Sequence, residues 1–214
     1  MTAQIGDKYT YENKTFTVVE MSSARLFNPR NFGMEPHSNS SACWRGYWCE
    51  YAITDDELLL KNFHMFNRND DYPPLNGVEV SPPEYLEFEG PRSNKNGAEK
   101  IRILDHCGHR IYRDVNMRIP YTGKILLGAD FMREYYVHMG IQSSWAYRQL
   151  TELVFVEGLL LESNDLSYIA KAQREAIQDG IRGRRRRDLS MLDYFQIIED
   201  RFASDDRVWW VKKR

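Results

Sequence analysis

Hydrophobic and polar residues alternate with a period of two along several stretches of this chain, as expected of half-buried β-strands. The first stretch, residues 9–20, alternates aromatic and β-branched residues with polar ones around a turn near Asn13 and Lys14. Further hairpins are predicted over residues 44–63 and 145–163, and each combines a strand, an acidic turn and a leucine-rich returning strand. Their likeness suggests an internal repeat of about twenty residues.

The segments between these hairpins predict one more hairpin and one helix. Residues 100–104 and 110–115 alternate again and are joined by a short polar segment at 105–109. Over residues 130–139, Asp130 stands where a helix N-cap belongs, and Phe131 and Tyr135 recur at helical spacing. Residues 67–97 contain five of the eight prolines and are predicted to form an irregular surface excursion.

After residue 164 the apolar spacing becomes helical and predicts a pair of helices. The first has an apolar stripe through Ile169, Ala176 and Ile177, and the second extends to Phe202. The last residues, 207–214, are apolar and basic and are predicted to form a closing strand or an apolar clamp.

These elements predict an α+β protein with a body of mainly antiparallel hairpins at residues 1–164 and a helical C-terminal appendage at residues 165–214. The hairpins are expected to form a strongly bent sheet or a partly closed barrel. One helix at about 130–139 is expected to pack on that sheet, and the helical pair is expected to follow it.

Composition and charge narrow the classes of function. The chain has 214 residues, with 29 Lys and Arg against 31 Asp and Glu, and this balance argues against a role of the whole protein on nucleic acid. Its apolar runs are too short for a membrane span, and its start lacks the pattern of a secretory signal. Three cysteines in a chain of this size favour reduced thiols, so a cytoplasmic protein with no membrane contact is expected.

The most aromatic segment of the chain, residues 43–49, is the first candidate site. Its side chains Trp44, Arg45, Tyr47 and Trp48 suit stacking on a planar ligand or contact with a partner protein. The same residue types also form aromatic layers in a core, and the sequence leaves both interpretations open.

Two other clusters suggest chemistry. His106 and His109 are separated by two residues and could contribute to a metal site, although no second pair of comparable spacing accompanies them. Arg184, Arg185, Arg186 and Arg187 could bind an anion, an acidic partner or, locally, nucleic acid; a solvated linker is the alternative. Residues 165–214 carry a net charge of +3, from twelve basic and nine acidic residues, and the body carries −5.

The sequence contains no recognisable catalytic or dinucleotide-binding motif, and no cofactor is predicted. The expected function is therefore that of a non-enzymatic, cytosolic protein that binds another protein as an inhibitor, immunity protein or regulatory subunit. One alternative is a barrel or cleft that binds a nucleotide-like ligand through the Trp44–Trp48 aromatics. Another is a metal-dependent hydrolase or nuclease that uses His106 and His109.

Overall fold

The structure is a computed structural model that describes residues 3–22, 25–69, 71–82, 85–89, 100–104, 109–138, 142–180, 191–202 and 205–210. Its strands are β1 (Lys8–Tyr11), β2 (Lys14–Met21), β3 (Tyr47–Thr54), β4 (Glu57–Met65), β5 (Tyr85–Glu89), β6 (Lys100–Leu104), β7 (Arg110–Tyr112), β8 (Met117–Arg118), β9 (Gly123–Phe131), β10 (Tyr147–Val156) and β11 (Leu159–Asp165). Its helices are α1 (Ser167–Gly180) and α2 (Met191–Phe202), with 3-10 helices at Pro29–Phe32, Arg133–Tyr135, Ser144–Ala146 and Asp206–Val208.

Seven of the described strands form a closed barrel in the order β11-β10-β9-β2-β1-β3-β4. The barrel closes where β11 meets β4, with Leu159 opposite Glu57 and the Leu58 N–H donating to the Gly158 carbonyl at 2.9 Å. Neighbouring strands are antiparallel except β1 and β3, which are parallel. The predicted α+β class and the barrel are thus present, and the two look-alike hairpins meet at their tips to close the sheet.

Two-residue turns close three hairpins, and the first turn lies one residue before the Asn13-Lys14 turn that the sequence predicted. Glu12 and Asn13, Asp55 and Asp56, and Glu157 and Gly158 all have positive φ, and this pair of left-handed residues matches the twist of the flanking strands. Gly158 is also required sterically, because a Cβ there would lie 2.3 Å from the Ile119 carbonyl oxygen.

Aromatic and leucine side chains fill the barrel. Tyr9 stacks on Tyr51 with ring centroids 4.9 Å apart, and Phe155 lies among the fully buried residues. Side chains alternate between the two faces of a strand, so Leu58 and Leu60 point inward on β4. Burying side chains of this size contributes roughly 1.5–3 kcal/mol each to folding.

Two local predictions were wrong. The strand β6 pairs with β5 and β7 pairs with β4, so residues 100–115 do not form a hairpin of their own. The helix expected at about 130–139 is also not formed, because β9 pairs with β10 as far as Phe131 opposite Tyr147. Asp130 has a φ of 55°, which an N-cap does not adopt, and its carboxylate contacts Lys14 Nζ at 3.1 Å. Beyond it only the short 3-10 helix Arg133–Tyr135 follows, and residues 139–141 lie outside the described residues.

The helix α1 packs on the outer face of the barrel, and α2 packs on α1. Ile169, Ala170 and Ile177 of α1 are buried in a cluster that also contains Leu126 and Leu150 of the sheet. After α2 the chain forms the 3-10 helix Asp206–Val208, and the buried Val208 and Trp210 make residues 205–210 an apolar clamp; residues 211–214 of the predicted segment lie outside the described residues. The division into domains at residue 164 stays a prediction. Neither helix in the described part of the chain is long and apolar enough to cross a membrane.

Hydrogen bonds from two indole N–H groups attach the clamp to β10 and to the 3-10 helix that precedes it. Trp209 Nε1 donates to Glu152 Oε2 at 2.6 Å, and Trp210 Nε1 lies 3.3 Å from the hydroxyl of Ser144. Both acceptors are buried, so these bonds also satisfy polar groups that would otherwise be costly.

Candidate partner-binding surface

Arg45, one of the four residues predicted for binding, lies in a partly buried ion pair. Its guanidinium contacts both carboxylate oxygens of Asp7, with 3.2 Å between Nη1 and Oδ2, and its Nε donates to the Tyr47 carbonyl at 2.8 Å. Asp7 in turn accepts the backbone N–H of Cys49 at 2.8 Å. Burial disfavours the charge of Arg45, but Asp7 outweighs this and raises the pKa of the guanidinium. This network fixes the N-terminal segment to the start of β3.

Tyr47 and Trp48 are buried on opposite sides of β3. Tyr47 belongs to the cluster inside the barrel, and its hydroxyl lies 3.4 Å from the Phe27 carbonyl. Trp48 packs outside the barrel on the ring of His64, with centroids 4.6 Å apart and an interplanar angle of 15°. Both rings are covered by protein in this structure, so a direct role in binding stays a prediction for them.

His109 lies in a buried pair with His64, beneath Trp48. The distance from His64 Nδ1 to His109 Nε2 is 3.1 Å, and His64 Nε2 lies 3.4 Å from Glu50 Oε1 in a poorly aligned contact. The contact with His64 is the largest cause that lowers the pKa of Glu50 to about 2, against its partial burial and together with a hydrogen bond from Asn62. The arrangement places an anion beside two imidazoles.

A metal site is not assembled by this pair. Among the residues that the structure describes, no group of three or more His, Cys, Asp or Glu side chains could hold a metal ion. His106 and the four arginines Arg184 to Arg187 lie outside the described residues, so the predictions for them stay predictions.

Trp44 is the member of the aromatic segment that points away from the core. Its backbone N–H donates to Gln4 Oε1 at 3.0 Å, and Gln4 Nε2 donates to the Ser41 carbonyl at 2.9 Å. The Ile5 N–H donates to the Ala42 carbonyl at 2.8 Å, so the N-terminal segment and the loop before β3 are joined. The result is a fixed backbone that presents the exposed side chains of Ile5 and Trp44.

A small aromatic groove lies next to Gln4. Phe131 packs against Tyr136 and Tyr147 in edge-to-face contacts, with centroids 6.4 and 5.5 Å apart. These rings, together with Gln4 and Thr17, line a groove of about 180 Å³. The segment that carries Tyr136 is held by Gln142, whose amide both accepts from the Val137 N–H and donates to the Val137 carbonyl at 2.8 Å.

The floor of the groove depends on a glycine. Gly128 on β9 lies directly under Tyr147, and a Cβ at this position would be 2.5 Å from Tyr147 Cγ. The ring therefore lies flat on the strand and is buried, which raises the pKa of Tyr147 to about 12.

We define the aromatic surface as Ile5, Trp44, Phe131 and Tyr136, whose exposed fractions are 39, 53, 38 and 47%. Gln4 connects the two parts of this surface, because its side chain accepts from the Trp44 backbone and also lines the groove beside Phe131 and Tyr136. Sequence reasoning identified Trp44 alone. It missed Tyr136 and assigned Phe131 to a helix. The one signal that could have identified them is the cluster of aromatic residues that follows a predicted strand.

A second exposed apolar group lies at the tip of the last hairpin. Val156 and Leu159 face each other across the turn, and Leu161 follows on the same face of β11. The members of this group, Val156, Leu159 and Leu161, are all aliphatic. It serves below as a comparison surface, called the hairpin patch.

The chain matches no protein-family model, no curated protein and no solved structure.

Proposed function

We propose that this is a non-enzymatic protein of the inhibitor, immunity or regulatory-subunit kind, and that it binds its partner through the aromatic surface. The observation that carries the proposal is a row of exposed aromatic side chains on a backbone fixed by hydrogen bonds. Tryptophan and tyrosine dominate the binding energy of protein interfaces, and a rigid backbone lowers the entropic cost of association.

The size of the groove favours a protein partner over a small molecule. Pockets for drug-sized ligands usually enclose about 300–1,000 Å³, whereas the groove beside Phe131 encloses about 180 Å³. A space of this size suits a single side chain. Trp44 and Ile5 lie beyond the groove and would contact the residues on either side of that anchor.

The lining of the groove indicates the chemistry of the anchor. The rings of Phe131, Tyr136 and Tyr147 form apolar walls, and the amides of Gln4 and Gln142, which also line the groove, are bonded within the chain. We therefore expect the partner to insert one apolar side chain into the groove.

Site-specific crosslinking tests the proposal. Tyr136 is replaced by the photoreactive residue p-benzoyl-phenylalanine in the native host, and the same residue is placed at Leu161 of the hairpin patch. Illumination should produce one stoichiometric adduct from position 136 and none from position 161. The captured protein is then purified and its affinity for the unmodified chain is measured.

Alanine variants then test which of the two surfaces binds the partner. Trp44→Ala and Tyr136→Ala should each weaken binding of the purified partner by about tenfold or more, the loss expected of interface hot spots. Leu161→Ala, at a side chain that is 61% exposed, is the matched control and should change the affinity by less than about twofold. Loss of affinity in Leu161→Ala alone would refute the assignment of the surface.

A further inference from the structure

A second groove lies between the 3-10 helix Pro29–Phe32 with its following loop and the chain that leaves β4. It encloses about 510 Å³, a volume that suits a small-molecule ligand. Arg30, Glu35 and His37 line one wall, and Arg68 lies on the other. These residues are separate from the aromatic surface.

The two walls are joined by backbone bonds. Pro36 forms a bridge with Asn67, and the His37 N–H donates to the Phe66 carbonyl at 2.8 Å. Gly46 packs so closely on the backbone of His37 that a Cβ would lie 2.6 Å from it. The groove is therefore built by a fixed backbone rather than by side chains alone.

The turn that presents Arg30 is fixed in the same way. Gly33 ends the 3-10 helix in the left-handed conformation, with a φ of 75°, and its N–H donates to the Arg30 carbonyl at 3.2 Å. The next residue, Met34, is completely buried and anchors the turn in the core. Arg30 and Glu35 thus project from a turn that is held at both ends.

The charged side chains of the groove do not neutralise one another. Within the described part of the chain, Arg30, Arg68 and Glu35 form no ion pair, although Arg45, Lys14 and Lys124 each have a carboxylate partner. Arg30 and Arg68 both line the groove, so two positive charges face the same space and attract an anion. Arginine is also the side chain that best matches the oxygens of a phosphate.

We propose that this groove binds a small phosphorylated compound that also carries hydroxyl groups, such as a sugar phosphate. Arg30 and Arg68 hold the phosphate, and His37 lies beside it in the same groove. The Glu35 carboxylate only accepts hydrogen bonds, and it binds a hydroxyl group of the ligand. One carboxylate against two guanidinium groups leaves a net positive site, so an anion is favoured over a neutral sugar.

Calorimetric titration with ribose 5-phosphate, inorganic phosphate and ribose tests the proposal. Ribose 5-phosphate should bind at one site per chain, and ribose alone should give no saturation up to about 10 mM. The double variant Arg30→Gln/Arg68→Gln should weaken the binding of ribose 5-phosphate by about tenfold or more. Glu35→Gln should weaken ribose 5-phosphate and leave or strengthen the binding of phosphate.

Arg148→Gln removes one exposed positive charge from β10 and is the matched control. It should bind ribose 5-phosphate as the natural chain does. No saturable binding of ribose 5-phosphate to the natural chain, or an equal loss of affinity in the control, would overturn the proposal. Thermal melting of each variant shows that it is folded, and because the altered side chains are exposed no large change is expected.

Discussion

The ion pair between Asp7 and Arg45 offers the clearest test of what the aromatic segment does. If Arg45 serves to fix the N-terminal segment to β3, then Asp7→Asn should destabilise the fold. The substitution keeps the shape and the acceptor for the Cys49 N–H, removes the negative charge, and replaces the oxygen that accepts from Arg45 Nη1 with an amide nitrogen. The side chains of Asp7 and Arg45 are 8 and 27% exposed, so the guanidinium would be left largely buried without its counter-charge.

Breaking a buried ion pair by removing one partner costs about 3–5 kcal/mol. Water reaches part of Arg45, so we expect a smaller loss than for a fully buried pair, about 2–3 kcal/mol of the free energy of unfolding. This is a large share of the roughly 5–15 kcal/mol that stabilises a typical domain. Urea unfolding at pH 7 measures it as a shift of the midpoint at constant slope.

Two comparisons make this result specific. Asp130→Asn breaks the ion pair with Lys14, whose partners are 57 and 40% exposed, and it should cost less than about 0.5 kcal/mol. In a double-mutant cycle, Asp7→Asn and Arg45→Gln should couple by about 1–3 kcal/mol. If Asp7→Asn changes the free energy of unfolding by less than about 0.5 kcal/mol, the structural role is refuted, and Arg45 is again a candidate for ligand binding.

Three further predictions concern other parts of the barrel. Gly128→Ala should displace the Tyr147 ring and lower the free energy of unfolding by about 1–3 kcal/mol, measured by urea unfolding; an unchanged midpoint would contradict the close contact. Phe155→Ala should cost about 3–5 kcal/mol because the ring is fully buried, and a cost under about 1 kcal/mol would be inconsistent with a packed interior. The pKa of Glu50 is lowered to about 2 from an ordinary value of 4.5, so its stabilising effect is complete above pH 4.5 and is lost as the pH falls towards 2. The stability difference between the natural chain and Glu50→Gln should therefore shrink over this range, and a constant difference would contradict the contact with His64.

Local sequence signals were sufficient to predict those parts of the structure that depend on residues close together in the sequence. The turn at Asp55-Asp56 and the position of Gly158 follow from residue types that tolerate positive φ, and the flanking alternation defines the strands. Closure of the barrel depends on a contact between Leu159 and Glu57, which are about one hundred residues apart in sequence. No local pattern encodes that contact, so the choice between a bent sheet and a barrel stayed open.

The candidate site was harder to predict because exposure depends on what covers each ring. Trp44 and Trp48 come from one aromatic segment, yet Trp48 is covered by His64 of β4 and by His109, which precedes β7, and Trp44 is exposed. Helical spacing of Phe131 and Tyr135 was misleading, because pairing with β10 keeps Phe131 in a strand. In both cases a long-range contact overrides the local preference.

Hydrogen exchange of the chain, alone and in complex with its purified partner, tests the central proposal most directly. Amides of residues 4–6 and 131–137 should exchange more slowly in the complex, because partner residues cover the aromatic surface. Amides of residues 159–165, a strand segment that carries Leu159 and Leu161 of the hairpin patch, should exchange at the same rate in both states. Slower exchange at 159–165 with no change at 131–137 would contradict the proposal that the aromatic surface binds the partner.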